Sequence, residues 1–318
     1  MRGVPLYVTA TPENFDESGY LEANPDIAAA VRAGTLESGR LHFEVFGAKE
    51  GREQISSVLI EAMQADKIER IKPLLNLERS HVRRGVKYDF LTDELRRETR
   101  IVDTNEVSKN NYDAYVRALI DELENGLILD CGAGSRSTYY PNVINYEIVD
   151  YVSTDVIGVG ESLPFKDASF DGVISIAVLE HVRDPFLCAA EIARVLKPGG
   201  KLVCCVAFLS PVHGYPNHYY NMTPQGLRAL FERHLEICDQ QVIESILPIW
   251  SLTWIVSSWA RGLEGKTREQ FLSMPLRTLL ANPEDLLKKP WVTSLSTEKN
   301  LELAAGSMIF GRKRLAET

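Results

Sequence analysis

What is scarce in this chain narrows its chemistry before any motif is considered. Five cysteines among 318 residues form neither a Cys-x-x-Cys pair nor the spaced set of a disulfide framework. Cys188, Cys204 and Cys205 sit inside apolar runs, where a thiol behaves as a small hydrophobe. That usage fits a reducing compartment. No stretch reaches the about 20 uninterrupted apolar residues that a membrane-crossing helix needs, so no membrane span is expected. The N-terminus lacks a charged start followed by an apolar run, and a cytoplasmic location is the expectation. Positive charge is also short: 35 Lys and Arg stand against 44 Asp and Glu, a formal charge of −9. An acidic chain has no general attraction to nucleic acid or anionic lipid, and no nucleic-acid partner is expected. The one basic cluster (Arg79, Arg83, Arg84, Lys87) is followed at once by Asp89, Asp93 and Glu94. It reads as a mixed-charge surface rather than a phosphate track.

What is present is ordinary for a globular protein: 45% apolar and 25% charged residues, in a length that suits about two domains. Residues 1–15 read as irregular. From 20 to 52 a compact helical unit is expected, with Asn24-Pro25 starting one helix and Gly34 ending it. Ser38 starts a second short helix carrying Leu41, Phe43 and Phe46. Residues 53–77 read as a helical connector, and 78–108 are polar without clear period. In 110–124, Tyr112, Tyr115, Val116, Leu119, Ile120 and Leu123 recur at helical spacing, which predicts one apolar stripe.

The period then changes. Leu127-Ile128-Leu129 is a short, wholly apolar run that fits a strand buried on both faces. Residues 143–149, 152–159, 172–177 and 201–207 are further strand candidates. Between the last two, Asp184 and Pro185 open a helix whose buried face is expected to be Phe186, Ala189, Ala190, Ala193 and Leu196. Lys197-Pro198-Gly199-Gly200 closes it. Strands alternating with helices predict an α/β fold: a doubly wound, mainly parallel, Rossmann-like sheet with helices on both faces. Residues 223–231 read as a helix and 235–243 as a strand. The Trp-rich segment 246–263 is open between lid, core and dimer face, and 265–287 continues as a helical insertion. Residues 301–311 are the expected antiparallel edge strand. The domain reading is a helical module at 1–52, a connector at 53–108 and the α/β domain at 109–318.

In such sheets ligands sit at the carboxyl ends of the strands, where the strand order reverses. The first strand ends in Asp130-Cys131-Gly132-Ala133-Gly134-Ser135. A dinucleotide fingerprint would require a third glycine where Ser137 stands, and Tyr139-Tyr140-Pro141 leave no long helix to meet a diphosphate. After the fifth strand, residues 211–222 gather His213, His218, Tyr215, Tyr219 and Tyr220 in one loop, which reads as the acceptor-facing wall. His181 lies just past the fourth strand. Histidine spacing alone would permit a metal, but no convergent Cys or carboxylate set is visible, and none is expected.

Four segments in order resemble the class I S-adenosylmethionine (SAM)-dependent methyltransferases, type 11 group. They are Leu-Ile-Leu-Asp-Cys-Gly-Ala-Gly-Ser at 127–135, Glu-Ser-Leu-Pro-Phe-Lys-Asp-Ala-Ser-Phe-Asp at 161–171, Val-Leu-Glu-His-Val at 178–182, and Arg-Val-Leu-Lys-Pro-Gly-Gly at 194–200. The likeness covers roughly residues 112–208. It implies a cofactor site at Asp130, Cys131, Gly132, Ala133 and Gly134, with Glu147 on the ribose and Asp150 and Asp155 as its rivals. Gly160 and Glu161 would lie by the adenine, and Ala177 and Val178 would line the cleft. Val159 departs from the pattern, standing where the group often has an acid for the adenine amino group. His181, His213 and His218 are the candidate catalytic groups, with Tyr215, Tyr219 and Tyr220 on the acceptor. Residues 20–52, with Tyr-Leu-x-x-Asn-Pro-Asp-Ile and His-Phe-x-x-Phe-Gly, resemble small modules beside bacterial enzymes of surface-glycan assembly. The implied partners are a small-molecule or glycan acceptor, with a homo-oligomer or a glycan-assembly complex left open. Three functions stay in view: a SAM-dependent methyltransferase acting on oxygen, a non-catalytic SAM-binding scaffold, and a nicotinamide-dependent oxidoreductase.

Overall fold

The computed structural model describes residues 3–101, 111–214 and 217–307. Its strands, in chain order, are β1 (Val4–Pro5), β2 (Tyr7–Thr9), β3 (Glu53–Ile55), β4 (Val82–Arg84), β5 (Lys87–Asp89), β6 (Ile128–Cys131), β7 (Thr138–Tyr139), β8 (Val143–Glu147), β9 (Val156–Ile157), β10 (Phe170–Ile176) and β11 (Leu196–Cys205). Seven of them form one sheet in the order β11-β10-β6-β8-β9-β5-β4. Every neighbouring pair is parallel except β4 with β5. From β6 the chain winds outward one way through β8 and β9, then returns to add β10 and β11 on the other side. The fold is α/β and doubly wound, and its switch point lies between β6 and β10.

Alternation along the central strands explains the two-sided burial. Leu129, Cys131, Ile144, Tyr146 and Val173 point to one face, packed with Ile68 and Ile71 of helix Ser57–Ile71 and Cys188, Ala189, Ile192 and Val195 of helix Pro185–Val195. Ile128, Val143 and Ile174 point to the other face, under Val116, Leu119 and Ile120 of helix Ala114–Glu122. A strand covered on both sides must be apolar at every position, which is why 127–129 reads as an unbroken run. Asp184 caps its helix through Leu187 N, and Pro185 occupies the first turn. The buried face of that helix differs from the expected one by a fraction of a turn. Cys188, Ile192 and Val195 are inside, whereas Phe186 is 62% exposed.

Two expected strands are absent. Residues 235–243 carry no strand, and 301–303 belong to helix Thr297–Leu303; the end of that second segment, 308–311, lies outside the described residues. The antiparallel edge comes instead from β4 and β5, within the polar stretch 78–108 that shows no period. These strands are three residues each and their outer member is wholly exposed, so no hydrophobic alternation marks them. The N-terminal region is also tied into the sheet system. β2 pairs with β3 across residue 52, and β1 pairs with β7 beyond the central strand. The helices Glu17–Ala23 and Pro25–Arg32 fold over Tyr20, Ile27 and Phe43. At the other end, Ala260, Leu263, Phe271, Trp291 and Leu295 form a separate small core. Among the described residues no helix is long and apolar enough to cross a membrane.

One buried ion pair holds helix Ser57–Ile71 to the sheet. Lys67 Nζ lies 3.0 Å from Asp155 Oδ2, with both side chains at 1% exposure or less. Asp155 also accepts from Asn145 N at 2.8 Å and from the Tyr139 hydroxyl. Burial pulls the Lys67 ammonium down to about 8, against the opposing pull of Asp155. Lys67→Met keeps the bulk and removes the charge, leaving a carboxylate buried without its cation. It should lower stability by about 3–5 kcal/mol; an unchanged urea midpoint would refute this account.

Candidate active site

A cavity of about 530 Å³ opens at the carboxyl ends of β6, β8 and β10. Its floor is the turn after β6. Gly132 and Gly134 have φ of +86° and +63°, the left-handed region that glycine enters without steric penalty. The turn is held by its neighbour strand: Gly132 N and Ala133 N both donate to Tyr146 O, at 2.9 and 3.1 Å. Gly134 N donates to Glu147 Oε2 and Ile148 N to Glu147 Oε1, each at 2.7 Å. At Gly132 a Cβ atom would lie 2.4 Å from a methyl of Val178, so backbone and side chain there share one space.

Asp130 stands behind this lining rather than in it, a correction to the direct ligand contact expected for it. Its Oδ2 accepts from Arg136 Nη2 at 2.7 Å and Nε at 3.0 Å, and from Tyr112 Oη at 2.5 Å. Arg136 and Tyr112 themselves face the cavity, with the guanidinium 4.2 Å over the ring. The carboxylate thus acts through two other side chains. Of the three acids proposed for the ribose, Glu147 alone lines the cavity. Asp155 is paired with Lys67, and Asp150 with Lys87 at 2.7 Å. Burial raises the Glu147 pKa, opposed by the N–H donors of Gly134 and Ile148.

Cys131, Ala133, Gly160, Glu161, Ala177 and Val178 also line the cavity, together with Val159. Ala177 holds φ +54° where β10 ends. A left-handed non-glycine residue is a strained conformation of the kind that gathers at functional sites. The Val159 carbonyl accepts from Tyr146 Oη at 2.9 Å, which turns the Val159 side of the wall apolar. A Cβ at Gly160 would lie 2.6 Å from Cys188 Sγ, so only glycine fits over that helix.

The histidines divide. His181 and His213 line the cavity; His218 does not. His218 Nδ1 accepts from His213 N at 3.2 Å, and its Nε2 faces Tyr220 O and Asn221 Oδ1 at 3.1 and 3.0 Å. With both ring nitrogens engaged, His218 braces the loop and is not free to take a proton. Tyr219 and Tyr220 are likewise outside the lining. Their backbone N–H groups donate to Glu180 O at 2.7 and 3.2 Å, and Tyr220 Oη donates to Arg183 O. Both thus fasten the loop to the β10 exit instead of facing an acceptor. Tyr215 lies outside the described residues. Burial lowers the His181 pKa, with Asn217 O opposing.

Several lining residues lie outside the expected site set. Trp254 of helix Pro248–Arg261 reaches the rim, its ring 4.9 Å from that of His213. Thr99 and Ile101 come from the stretch 78–108 without period, and Asn111 from the polar start of the segment 110–124. Glu180 is buried beside His181 and His213, so a carboxylate does converge on the histidines. Burial raises its pKa to about 7. Its signal was available, since Glu180 immediately precedes His181 at a strand exit.

The doubly wound sheet, with a glycine turn at its switch point, places the chain in the Rossmann-like α/β fold class. Residues 130–204, from the end of β6 through β11, match the methyltransferase domain family. A fission yeast (Schizosaccharomyces pombe) protein named as an uncharacterized methyltransferase is 44% identical over 57 residues, 18% of this chain and 20% of that one. An O-methyltransferase of Aspergillus nomiae is 47% identical over 55 residues, 17% of this chain and 24% of its own. The demethylmenaquinone methyltransferase of Corynebacterium glutamicum is 41% identical over 81 residues, 24% and 34% of the two chains. The matches therefore span about a fifth to a third of these relatives' lengths.

The contact between Gly132 and Val178 is testable by a mutant cycle. Gly132→Ala should destabilise by about 1–3 kcal/mol through overpacking, with a further roughly 1–2 kcal/mol for a left-handed L-residue. Val178→Ala should relieve the first part and not the second, giving a coupling of about 0.5–3 kcal/mol in denaturant melts. Strict additivity would show that the two residues do not share that space.

Proposed function

We propose that this protein is a SAM-dependent methyltransferase acting on an oxygen atom of a small-molecule or glycan acceptor. The observation that carries the reading is the glycine turn at the switch point, with Glu147 fixed beside it on the neighbouring strand. The match of residues 130–204 to the methyltransferase domain family supports it. The O-methyltransferase relative favours oxygen as the acceptor atom.

The donor set fits the cofactor. The backbone between Gly132 and Gly134 carries no Cβ at its two positive-φ positions and admits the amino-acid part of the ligand closely. Glu147 is held by the backbone N–H groups of Gly134, Ile148 and Val149, and its two oxygens together keep acceptor capacity for a ribose hydroxyl. Val159, Gly160 and Ile148 offer an apolar slot for a flat heterocycle. When bound there, the cofactor supplies an already activated methyl carbon, so the remaining work is alignment. Val178 and Ala177 set one wall of the approach line, and His213 and Trp254 set the wall from which an acceptor would enter. His181 Nδ1 is 2.7 Å from Asn217 O; as the donor to that carbonyl it leaves Nε2 free to receive the acceptor's proton.

Calorimetric titration with SAM, with its demethylated product and with NAD tests the assignment. The expected outcome is saturable binding of the first two and none of NAD; NAD binding alone would overturn it. Glu147→Ala should weaken SAM binding about tenfold to a hundredfold, the value of hydrogen bonds to a charged acceptor. Turnover of bound SAM against a panel of hydroxyl acceptors separates an enzyme from a SAM-binding scaffold.

A further inference from the structure

Glu180, His181 and His213 come together from the exit of β10 and the loop after β11. One carboxylate oxygen and one nitrogen of each ring lie within 4.8 Å of one another. Glu180 is fully buried. Its Oε1 has only a long contact, 3.4 Å from Ala207 N, and its Oε2 has no hydrogen-bond partner among the described residues. A buried carboxylate oxygen without a donor is costly and calls for a positive partner.

The two imidazoles are oriented from behind. His181 Nδ1 lies 2.7 Å from Asn217 O, and His213 Nδ1 lies 2.8 Å from Pro211 O. A carbonyl only accepts, so each Nδ1 carries the ring proton and each Nε2 keeps its lone pair. Carbonyls that take the far N–H in this way are the usual outer partners of metal-binding histidines. The loop can lie against His181 only because residue 214 is glycine. A Cβ there would sit 2.3 Å from His181 Cε1.

We propose that Glu180, His181 and His213 bind one divalent transition-metal cation in the wall of the cavity, with its remaining coordination positions turned toward the molecule held there. Two imidazoles and one carboxylate suit zinc and its first-row neighbours better than magnesium or calcium. Three protein ligands with an open position are the arrangement of catalytic zinc sites. The rings close in by side-chain rotation to reach the roughly 2.0–2.1 Å of a Zn–N bond. A role for His181 in pinning the loop accounts for its Nδ1 bond but leaves Glu180 Oε2 unexplained. With His181 Nε2 on the cation it no longer serves as the base, and the open positions would take a hydroxyl oxygen of the acceptor, which then gives its proton more readily to water. That consequence rests on the methyl-transfer reading; the cation site itself does not.

The test uses the full chain, stripped with EDTA, dialysed, and titrated with Zn²⁺ and Co²⁺ by calorimetry and by Co²⁺ visible absorption. Wild type should bind one equivalent. Glu180→Gln and His213→Gln should each weaken binding tenfold or more, and His234→Ala, at an exposed histidine outside the cluster, should not. His213 stands on a half-buried loop, so its variant remains informative if Glu180→Gln fails to fold, as circular dichroism will show. No saturable binding by wild type, or undiminished binding by His213→Gln, overturns the site. SAM is titrated into the same samples. Cation binding without SAM binding would keep this site and remove the methyl-transfer reading, and the reverse would do the opposite.

Discussion

A buried carboxylate, Asp130, ends the central strand, and the shape of the cavity floor depends on how its charge is met. Arg136 returns from six residues further along to pair with it, and Tyr112 donates from the covering helix side. A charge removed from water is tolerated only with such partners. Meeting that requirement bends the intervening chain back upon its own strand. The bend is what forces two left-handed residues, and glycine fills both. The same bend presents Gly134 N to Glu147, which fixes the second strand end against the first. One electrostatic demand in the core therefore determines the backbone of the ligand floor.

The opposite wall is built by a different logic. There the loop after β11 is fastened by polar contacts, not by an apolar core. Tyr219 and Tyr220 bind the Glu180 carbonyl through their N–H groups, Asn217 receives His181, and His218 braces His213. Aromatic and histidine residues that suggest chemistry by their density are spent mostly on holding the loop in place. The groups left facing the cavity are few, and their protonation is decided by backbone carbonyls behind them.

How far the sequence discloses this depends on what each residue answers to. The strands β6, β8 and β10 are legible because burial on two faces demands unbroken apolar runs. The glycine turn is legible because positive φ leaves little choice of residue. Asp184-Pro185 announces its helix by capping, and Ala189 and Leu196 are buried as expected, but Phe186 is exposed and Cys188, Ile192 and Val195 complete the buried stripe. The edge strands β4 and β5 escape notice because three residues each, all exposed in β4 and led by half-buried Lys87 in β5, are too few to show a period. The segments 235–243 and 301–303 mislead in the other direction: Leu235 and Ile237 pack against the sheet core from a stretch without a strand, and 301–303 end a helix. At the site, Glu147 follows from its place at a strand end. The withdrawal of Asp130, His218, Tyr219 and Tyr220 from the cavity does not, because it depends on which side-chain and backbone partners each meets once the loops are folded. Trp254 lies in the Trp-rich segment 246–263, whose composition marks it but does not say which tryptophan reaches the cavity.

The cavity is bounded by two independent apolar cores. Its floor belongs to the sheet, whereas Trp254 stands on a helix that contributes Val256, Trp259 and Ala260 to the small core around Phe271 and Trp291. Val212 N to Glu302 O is one of the backbone bonds that join the two parts. Units with separate cores open with separate free energies. A molecule that touches both the glycine turn and Trp254 therefore acts as a non-covalent cross-link. Its binding energy is shared with the docking of the helical unit, so occupancy raises the melting of that unit by mass action. The fit of such a molecule and the cohesion of the C-terminal helical unit are then thermodynamically coupled.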